Sequence, residues 1–558
     1  MFPVSESVRV EPGAVIDGSG LVLLETAHPG YESARDDLAP LAELVKTPEG
    51  LQTFRLTPLS CWNASALGIT PDEAVSRLRR HGRLGVPAPV EANVREWIAR
   101  YGALVLVAGP APQALELQAR DAATLERVLR HREVAPLLTR TGESRAEAAA
   151  SERGRLKQAL VHAGFPARDR VGYAPSNPLT LRLKDPGILR PYQREALDAF
   201  FAPGEEAGSG VLCLPCGAGK TLLGLAAIGH VGCEALVVTS GTTAARQWIR
   251  EALERTTLRR EQVGEYSGSR KEVRSLTVTT YSILVTRPRG LAAGEVPPHL
   301  ELLSRAGFGM VVYDEVHLLP APVFRATADI QAKRRLGLTA TLVREDGREA
   351  DVFALVGPKR AEVGWKRLES QRYLATAQCV EVRVPLAPAL RERYAFAALE
   401  EMFRLAATNP RKDSVALSLL ERHRDERVLL IGTYLDQLTR VALLAGAPLI
   451  TGATPEGERE RLYGAFRRGE VQVLAVSKVA NFAIDLPDAS VAIELSGTYG
   501  SRQEEAQRLG RVLRPKSDGR AAFFYVLVTA DTREEAMAER RQRFLLEQGY
   551  RYLVEAAP

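Results

Sequence analysis

One heptapeptide constrains the fold of this chain more than any other stretch. Pro215-Cys216-Gly217-Ala218-Gly219-Lys220-Thr221 follows the apolar run Val211 to Leu214 and opens a stretch of helical spacing. Strand, glycine-rich loop and helix in that order form the first half of a crossover unit, so the chain is predicted to build a parallel α/β sheet. Gly217 and Gly219 let the backbone curl around an anion, and the N–H groups at the helix start supply partial positive charge. In that reading Lys220 reaches the β- and γ-phosphates of a nucleoside triphosphate such as ATP, and the Thr221 hydroxyl binds Mg2+. The loop predicts a triphosphate hydrolase without saying which one.

The rest of the pattern agrees. Short apolar runs alternate with helical stretches at 235–239, 276–279, 310–313 and 335–338, and again at 428–431, 472–476, 490–495 and 522–528. This predicts an α/β chain with two tandem parallel-sheet domains. Leu386 to Arg411 reads as a helical insert between them, and a last helix from Arg533 to Gln548 begins with the capping box Thr532 to Glu535. Upstream the reading is α+β. Leu21 to Glu25 is a strand, Tyr31 to Leu44 has helical spacing, and Thr57-Pro58 opens a helix through Ala66. Thr70 to Glu73 is a second capping box, Glu91 to Tyr101 a third helix and Leu104 to Ala108 a strand. Three helices followed by a strand fit a winged-helix-like module or a plain small α+β core. Residues 118–170 hold eleven Lys and Arg against seven Asp and Glu, with Arg127, Arg130 and Arg132 in one cluster and Arg153, Arg155 and Lys157 in another. Such a stretch either lies along phosphates or is a solvated face.

Composition narrows the class. At about 150 residues per domain, 558 residues make three or four domains. Hydrophobic residues at 45% and charged residues at 25% exclude a disordered or collagen-like chain. No stretch approaches the roughly 18 apolar residues of a membrane span, and no signal peptide is visible, so no membrane role is expected. Five cysteines form an odd, sparse set, which points to a reducing compartment, with cytoplasm as the expected location. The net charge of +6 is only a hint of nucleic acid.

Two further constellations carry chemistry. Asp314-Glu315-Val316-His317 ends the run Met310 to Tyr313. A carboxylate there can hold Mg2+ through water, and Glu315 can orient and deprotonate the attacking water. Thr339-Ala340-Thr341 closes the next run and is placed to hydrogen-bond to the Asp314 cluster. The second α/β half has no phosphate loop but carries Gln507-Arg508-Leu509-Gly510-Arg511-Val512-Leu513-Arg514. Arg511 and Arg514 fall on one helical face, as arginine fingers for the γ-phosphate would, or as an arginine-rich surface helix would.

Together these motifs resemble superfamily-two DNA helicases of the XPB type. Leu189-Arg190-Pro191-Tyr192-Gln193 is similar to the family's adenine-reading motif, which implies that Arg190 and Gln193 serve the base. The run Gly337 to Asp346 is similar to its third motif and Arg344-Glu345-Asp346 to its duplex-opening motif. Ser477-Lys478-Val479 through Ile484-Asp485-Leu486-Pro487 resembles the fifth motif, placing Asp485 on the ribose, and Gln507 opens the sixth. Position 214, glycine in the strict phosphate loop, is leucine, a departure that nucleic-acid motors allow. His317, Thr339, Thr341 and Gln507 are implied to couple the ATP site to DNA. The resemblance implies two RecA-like domains that clamp ATP, at 184–370 and 371–558, the latter with a thumb-like insert at about 386–411. It implies an XPB-type N-terminal domain at 1–100 and a damage-recognition-like domain at 101–183. It implies 3′ to 5′ tracking on DNA as single strand, duplex or fork, in repair or transcription, with a repair nuclease as a candidate partner. A monomer associated with the nucleoid is expected. Ser240, Thr280 and Thr433, at strand ends, are the expected DNA contacts. A duplex translocase that separates strands only with a partner, and a damage-binding scaffold that uses ATP as a switch, are the alternatives.

Overall fold

The computed structural model describes residues 12–46, 50–111, 113–171, 176–202, 208–288, 290, 297–318, 330, 332–340, 349–477, 489–497, 509, 521–548, 550 and 552–557. The chain groups into two compact units. The first comprises residues 1–213, 221–241 and 245–362, and the second residues 214–220, 242–244 and 363–558.

The first unit begins with two small modules. In one, β1 (Ala14–Ile16), β2 (Leu21–Glu25), β3 (Glu43–Lys46) and β4 (Leu51–Arg55) form an antiparallel sheet in the order β1-β2-β4-β3. Helices α1 (Tyr31–Leu38), α2 (Pro58–Ala66), α3 (Pro71–His81) and α4 (Ala88–Arg100) accompany it. The expected helix over 31–44 stops at Leu38, and Glu43 to Lys46 pair as a strand with β4 instead. Thr70 caps α3 by accepting from the Glu73 N–H, but the Glu73 carboxylate pairs with Arg77 rather than reaching back.

The second module is a five-stranded sheet in the order β7-β8-β6-β5-β9. Its strands are β5 (Leu104–Ala108), β6 (Ala114–Ala119), β7 (Thr139–Arg140), β8 (Arg145–Ala149) and β9 (Ala167–Asp169), with α5 (Ala122–Leu129) and α6 (Arg153–His162). The strand read as the wing after three helices, β5, therefore pairs in the next sheet, with β6 and β9. The first module is thus a small α+β core. Two of the three residues of the second basic cluster are engaged by one carboxylate. Arg153 is buried and donates to both carboxylate oxygens of Asp169 at 2.9 and 2.5 Å, and Lys157 lies 3.2 Å from the same group.

The larger sheet of this unit has seven parallel strands in the order β12-β13-β11-β14-β15-β10-β16. They are β10 (Gly210–Cys213), β11 (Ala235–Thr239), β12 (Val263–Tyr266), β13 (Leu276–Thr280), β14 (Met310–Asp314), β15 (Arg334–Thr339) and β16 (Lys359–Glu362). α7 (Pro191–Phe200) precedes the first of these strands, and the crossovers include α8 (Lys220–Val231), α9 (Thr242–Arg255), α10 (Tyr281–Leu284), α11 (Pro298–Arg305) and α12 (Glu349–Leu355). Strands buried on both faces read as continuous apolar runs, which is why Val211-Leu212-Cys213 and Leu236-Val237-Val238 were legible. Trp62, Tyr101 and Val161 join the core of this sheet, so the small modules pack directly on it.

The second unit is a second seven-stranded parallel sheet, in the order β19-β20-β18-β21-β22-β17-β23. Its strands are β17 (Ala377–Val384), β18 (Val428–Gly432), β19 (Leu449–Ile450), β20 (Val473–Ser477), β21 (Val491–Glu494), β22 (Ala522–Thr529) and β23 (Tyr552–Ala556). Two helices, Pro388–Phe396 and Leu399–Ala407, lie within the span read as a helical insert, and Arg393 ties them together through Glu401. A buried pair holds this unit's interior. The Lys412 ammonium donates to both Glu534 oxygens at 2.7 and 2.8 Å and to the Leu495 carbonyl at 3.2 Å. Among the described residues no helix is long and apolar enough to cross a membrane.

Candidate active site

The site is built on one edge of the first parallel sheet. In parallel strands every C-terminal end points the same way, and ligands of such sheets sit beyond those ends. Register shows which ends coincide. Cys213, the last residue of β10, lies opposite Thr339 of β15, and Leu338 of β15 lies opposite Asp314 of β14. Strands are about 4.8 Å apart, so the exit of β10 and the carboxylate strand end are about 10 Å apart, with Thr339 between them. The loop 214–219 leaves β10 from this edge and leads into α8.

That loop needs its glycines. Gly217 and Gly219 have φ of +79° and +78°, in the left-handed region where a side chain is disfavoured. Both residues lie just ahead of Lys220, the first residue of α8, whose N-terminus carries the dipole that favours anions. Thr221 follows in the first turn.

The acidic strand end is held by groups that sequence did not reveal. The Trp248 indole on α9 donates to Asp314 Oδ2 at 3.0 Å, and the Tyr281 hydroxyl donates to the Asp314 carbonyl at 3.2 Å. Burial keeps the Tyr281 phenol neutral, well above its ordinary range. Trp248 is buried against Gly224 of α8, where any side chain would collide with its six-membered ring. Glu315 has a φ of +54°, a conformation that costs a non-glycine residue about 1 kcal/mol or more and that clusters at functional sites. It brings Glu315 Oε2 to 3.4 Å from His317 Nδ1, which also lies 3.2 Å from Thr339 Oγ1. The buried His317 thus stands between the carboxylate and the hydroxyl of the neighbouring strand. An oxygen donor set of one hydroxyl and one carboxylate suits Mg2+, which keeps several waters and takes its other ligands from substrate phosphates.

The remaining expected residues divide. Gln193 is buried at the start of α7, and its Oε1 accepts from the Arg190 N–H at 2.8 Å while Arg190 Nη1 donates to the Tyr192 hydroxyl at 3.3 Å. Ser240 is exposed just past β11. Thr433 is half-buried past β18, bonded to Ser496 through its N–H at 3.0 Å and its hydroxyl at 3.2 Å. Thr280 does not fit a DNA contact. It is buried, and its hydroxyl accepts from the Ile283 N–H at 3.4 Å as the cap of α10. Thr341, Arg344, Glu345, Asp346, Asp485, Gln507, Arg511 and Arg514 lie outside the described residues.

A glycine-rich loop that follows β10 in the chain, an acidic strand end at β14 and a second all-parallel sheet downstream are the features of a two-domain P-loop motor ATPase. Comparison with known proteins narrows this. Residues 368–557 match the family described as ERCC3/RAD25/XPB C-terminal helicase, residues 187–344 the type III restriction enzyme res subunit, and residues 15–143 a helicase conserved C-terminal domain. The chain is 49% identical to the DNA 3′-5′ helicase XPB of Mycobacterium tuberculosis, over 97% of both chains. It is 50% identical to the protein of that name from Kineococcus radiotolerans, over 97% of this chain and 96% of that one. It is 30% identical to the general transcription and DNA repair factor IIH helicase/translocase subunit XPB/SSL2 of Saccharomyces cerevisiae, over 96% of this chain and 71% of that one. The chain belongs to the XPB family of helicases.

Proposed function

We propose that this chain is an ATP-dependent DNA helicase or translocase that tracks 3′ to 5′ and opens duplex in repair or transcription-linked work. What supports the reading most is the shared edge of β10, β15 and β14 in a chain so similar to two DNA 3′-5′ helicases. The loop around Gly217 and Gly219 holds the phosphates, with Lys220 on the β- and γ-groups. Arg190 and Gln193 serve the adenine and Asp485 the ribose. Thr221 and Asp314 would hold Mg2+, which neutralises charge on the phosphates when bound. Glu315 orients the attacking water and takes its proton. Arg511 and Arg514 stabilise the charge that develops on the γ-phosphate. His317 and Thr339, with Thr341 and Gln507, carry the state of that centre toward DNA, where Arg344, Glu345 and Asp346 help open the duplex. Ser240 and Thr433 contact the DNA backbone, and such phosphate contacts make tracking sequence-independent and salt-sensitive.

Lys220→Ala tests the site. It should abolish ATP turnover and leave DNA binding within about twofold; turnover at the parental rate would refute the assignment. A second reading, a duplex translocase that separates strands only with a partner, draws on the yeast relative's name, helicase/translocase subunit. Triplex displacement without fork unwinding would favour it.

A further inference from the structure

His162, the last residue of α6, stands between two carboxylates from distant parts of the chain. Its Nδ1 lies 2.7 Å from Glu133 Oε2, past the end of α5 in the same module. Its Nε2 lies 2.8 Å from Asp351 Oδ1, on α12 beside the ATP-binding sheet. The Asp351 side chain is fully buried, whereas those of His162 and Glu133 are 33% and 42% exposed. Asp351 Oδ2 is buried without a hydrogen-bond partner, so among the described residues the His162 ring is what answers that carboxylate.

Counting donors decides the protonation. An ionised carboxylate only accepts, and a neutral imidazole has one N–H to give. The hydrogen bond to His162 holds the Glu133 carboxyl below its ordinary range, so Glu133 takes the Nδ1–H. A neutral ring would then turn the Nε2 lone pair on Asp351, acceptor against acceptor. A second ring proton removes that conflict and gives Asp351 a charge-assisted partner. Placing the proton on Asp351 instead leaves the same total, one proton more than a neutral imidazole between two carboxylates. The C-terminal end of α6 favours the cation, because the helix dipole is negative there.

Among the described residues no other charged group on the surrounding elements is bonded to Asp351. Lys157 and Arg153, earlier on α6, serve Asp169 of β9, and Arg155 pairs with Glu152. His131 and Arg132 adjoin Glu133 and add to the lowering of its carboxyl. Arg335 of β15 gives its Nη1 to the Leu355 carbonyl at the end of α12, at 2.6 Å, and Glu349 stands two residues before Asp351. α12 packs on α6 and also on the turn Val316–Leu318, whose His317 faces Glu315 and Thr339. The bridge therefore bears on a helix that touches the ATP edge.

We propose that His162 is a proton-held bridge that fastens the second N-terminal module to α12, and that this contact loosens as pH rises. Loss of the bridging proton leaves the Asp351 carboxylate buried without a counter-charge, which is costly. The loosened state binds one proton fewer. The contact is therefore complete below the ordinary histidine value of about 6.5 and weakens above it, roughly tenfold per pH unit through the range in which the proton leaves. Phe353 of α12 also packs on Tyr101 and Trp62, with ring centroids 5.6 and 6.2 Å away. Those contacts carry no proton, so α12 loosens while the module stays attached.

Hydrogen–deuterium exchange of the full chain tests this, read on peptides of α12 at about pH 6 and about pH 8.5 and corrected for the intrinsic rate, with β18 as the internal standard for global opening. In the parental chain the protection of α12 should fall about tenfold or more across that interval while that of β18 holds. His162→Gln carries no charge and can give an N–H to one acceptor group only, so α12 should already be poorly protected at the lower pH and fall no further. Asp351→Asn should keep α12 protected at both pH values, because its amide N–H donates to the neutral ring where a carboxylate cannot. Parental protection of α12 that ignores pH, or a fall that persists unchanged in His162→Gln or in Asp351→Asn, would overturn the proposal.

Discussion

Trp248→Phe should raise the Mg2+ requirement of ATP turnover while leaving the fold in place. The indole N–H is 3.0 Å from Asp314 Oδ2, so it orients the carboxylate assigned to Mg2+. A hydrogen bond to a charged group is worth about 1.5–3 kcal/mol, which converts to roughly 10- to 150-fold in an equilibrium constant. Groups that orient a metal ligand show losses of about 10–100-fold when removed. Phenylalanine keeps an aromatic ring but loses the outer indole atoms that meet Gly224, so the packing loss is smaller than for alanine and Tm should fall by a few degrees. Steady-state ATPase measured across Mg2+ concentrations is the assay. The half-saturating Mg2+ should rise at least tenfold, with much of the rate recovered at high Mg2+. A Mg2+ curve superimposable on the parental one, in a folded variant, would show that the Trp248 contact does not set the geometry of Asp314.

Glu315→Gln should bind ATP normally and lose nearly all turnover, read by nucleotide titration beside single-turnover hydrolysis; an unchanged rate would assign the base elsewhere. Lys412→Met leaves the Glu534 carboxylate buried without its cation and should cost about 3–5 kcal/mol in urea unfolding of the second sheet. Adding Glu534→Gln should recover most of it, because the amide oxygen can still accept the Thr529 N–H that Glu534 Oε2 takes at 2.8 Å. Asp169 supplies a pH dependence. Its folded value is depressed, so its stabilisation is complete above the unfolded carboxylate value near 4 and is lost as pH falls through the folded value. Asp169→Asn should therefore lower Tm at neutral pH and leave a shallower acid limb, by scanning calorimetry from pH 7 to pH 2.

The parts of this chain that sequence revealed are those whose physics is local. The phosphate loop, the strand ends at Asp314 and Thr339 and the apolar strands each announce themselves within a few residues. What escaped depends on partners far along the chain. β16 is Lys359-Arg360-Ala361-Glu362, with no apolar run, and it is a strand because β10 lies beside it and Asn63 Oδ1 accepts the Lys359 N–H at 2.7 Å. Arg153 and Lys157 looked like one basic helical face because the carboxylate that neutralises both, Asp169, is on β9. Trp248 lies within α9, and nothing near it in the sequence marks the carboxylate 66 positions away. Thr280 looked like a free hydroxyl at a strand end until the four-residue helix α10 claimed it as a cap. The resemblance to the XPB family supplied what spacing does not carry, the role of Asp485, whereas Arg511 and Arg514 were marked by their helical spacing.

The account stands most directly on the nucleic-acid dependence of ATP hydrolysis. The full chain should be assayed alone and with single-stranded DNA, duplex, fork and RNA, with Lys220→Ala as the blank. The account predicts a low basal rate, stimulation several-fold or more by DNA, little by RNA, and loss of stimulation as salt rises. Hydrolysis indifferent to every nucleic acid, or driven equally by RNA, would contradict it.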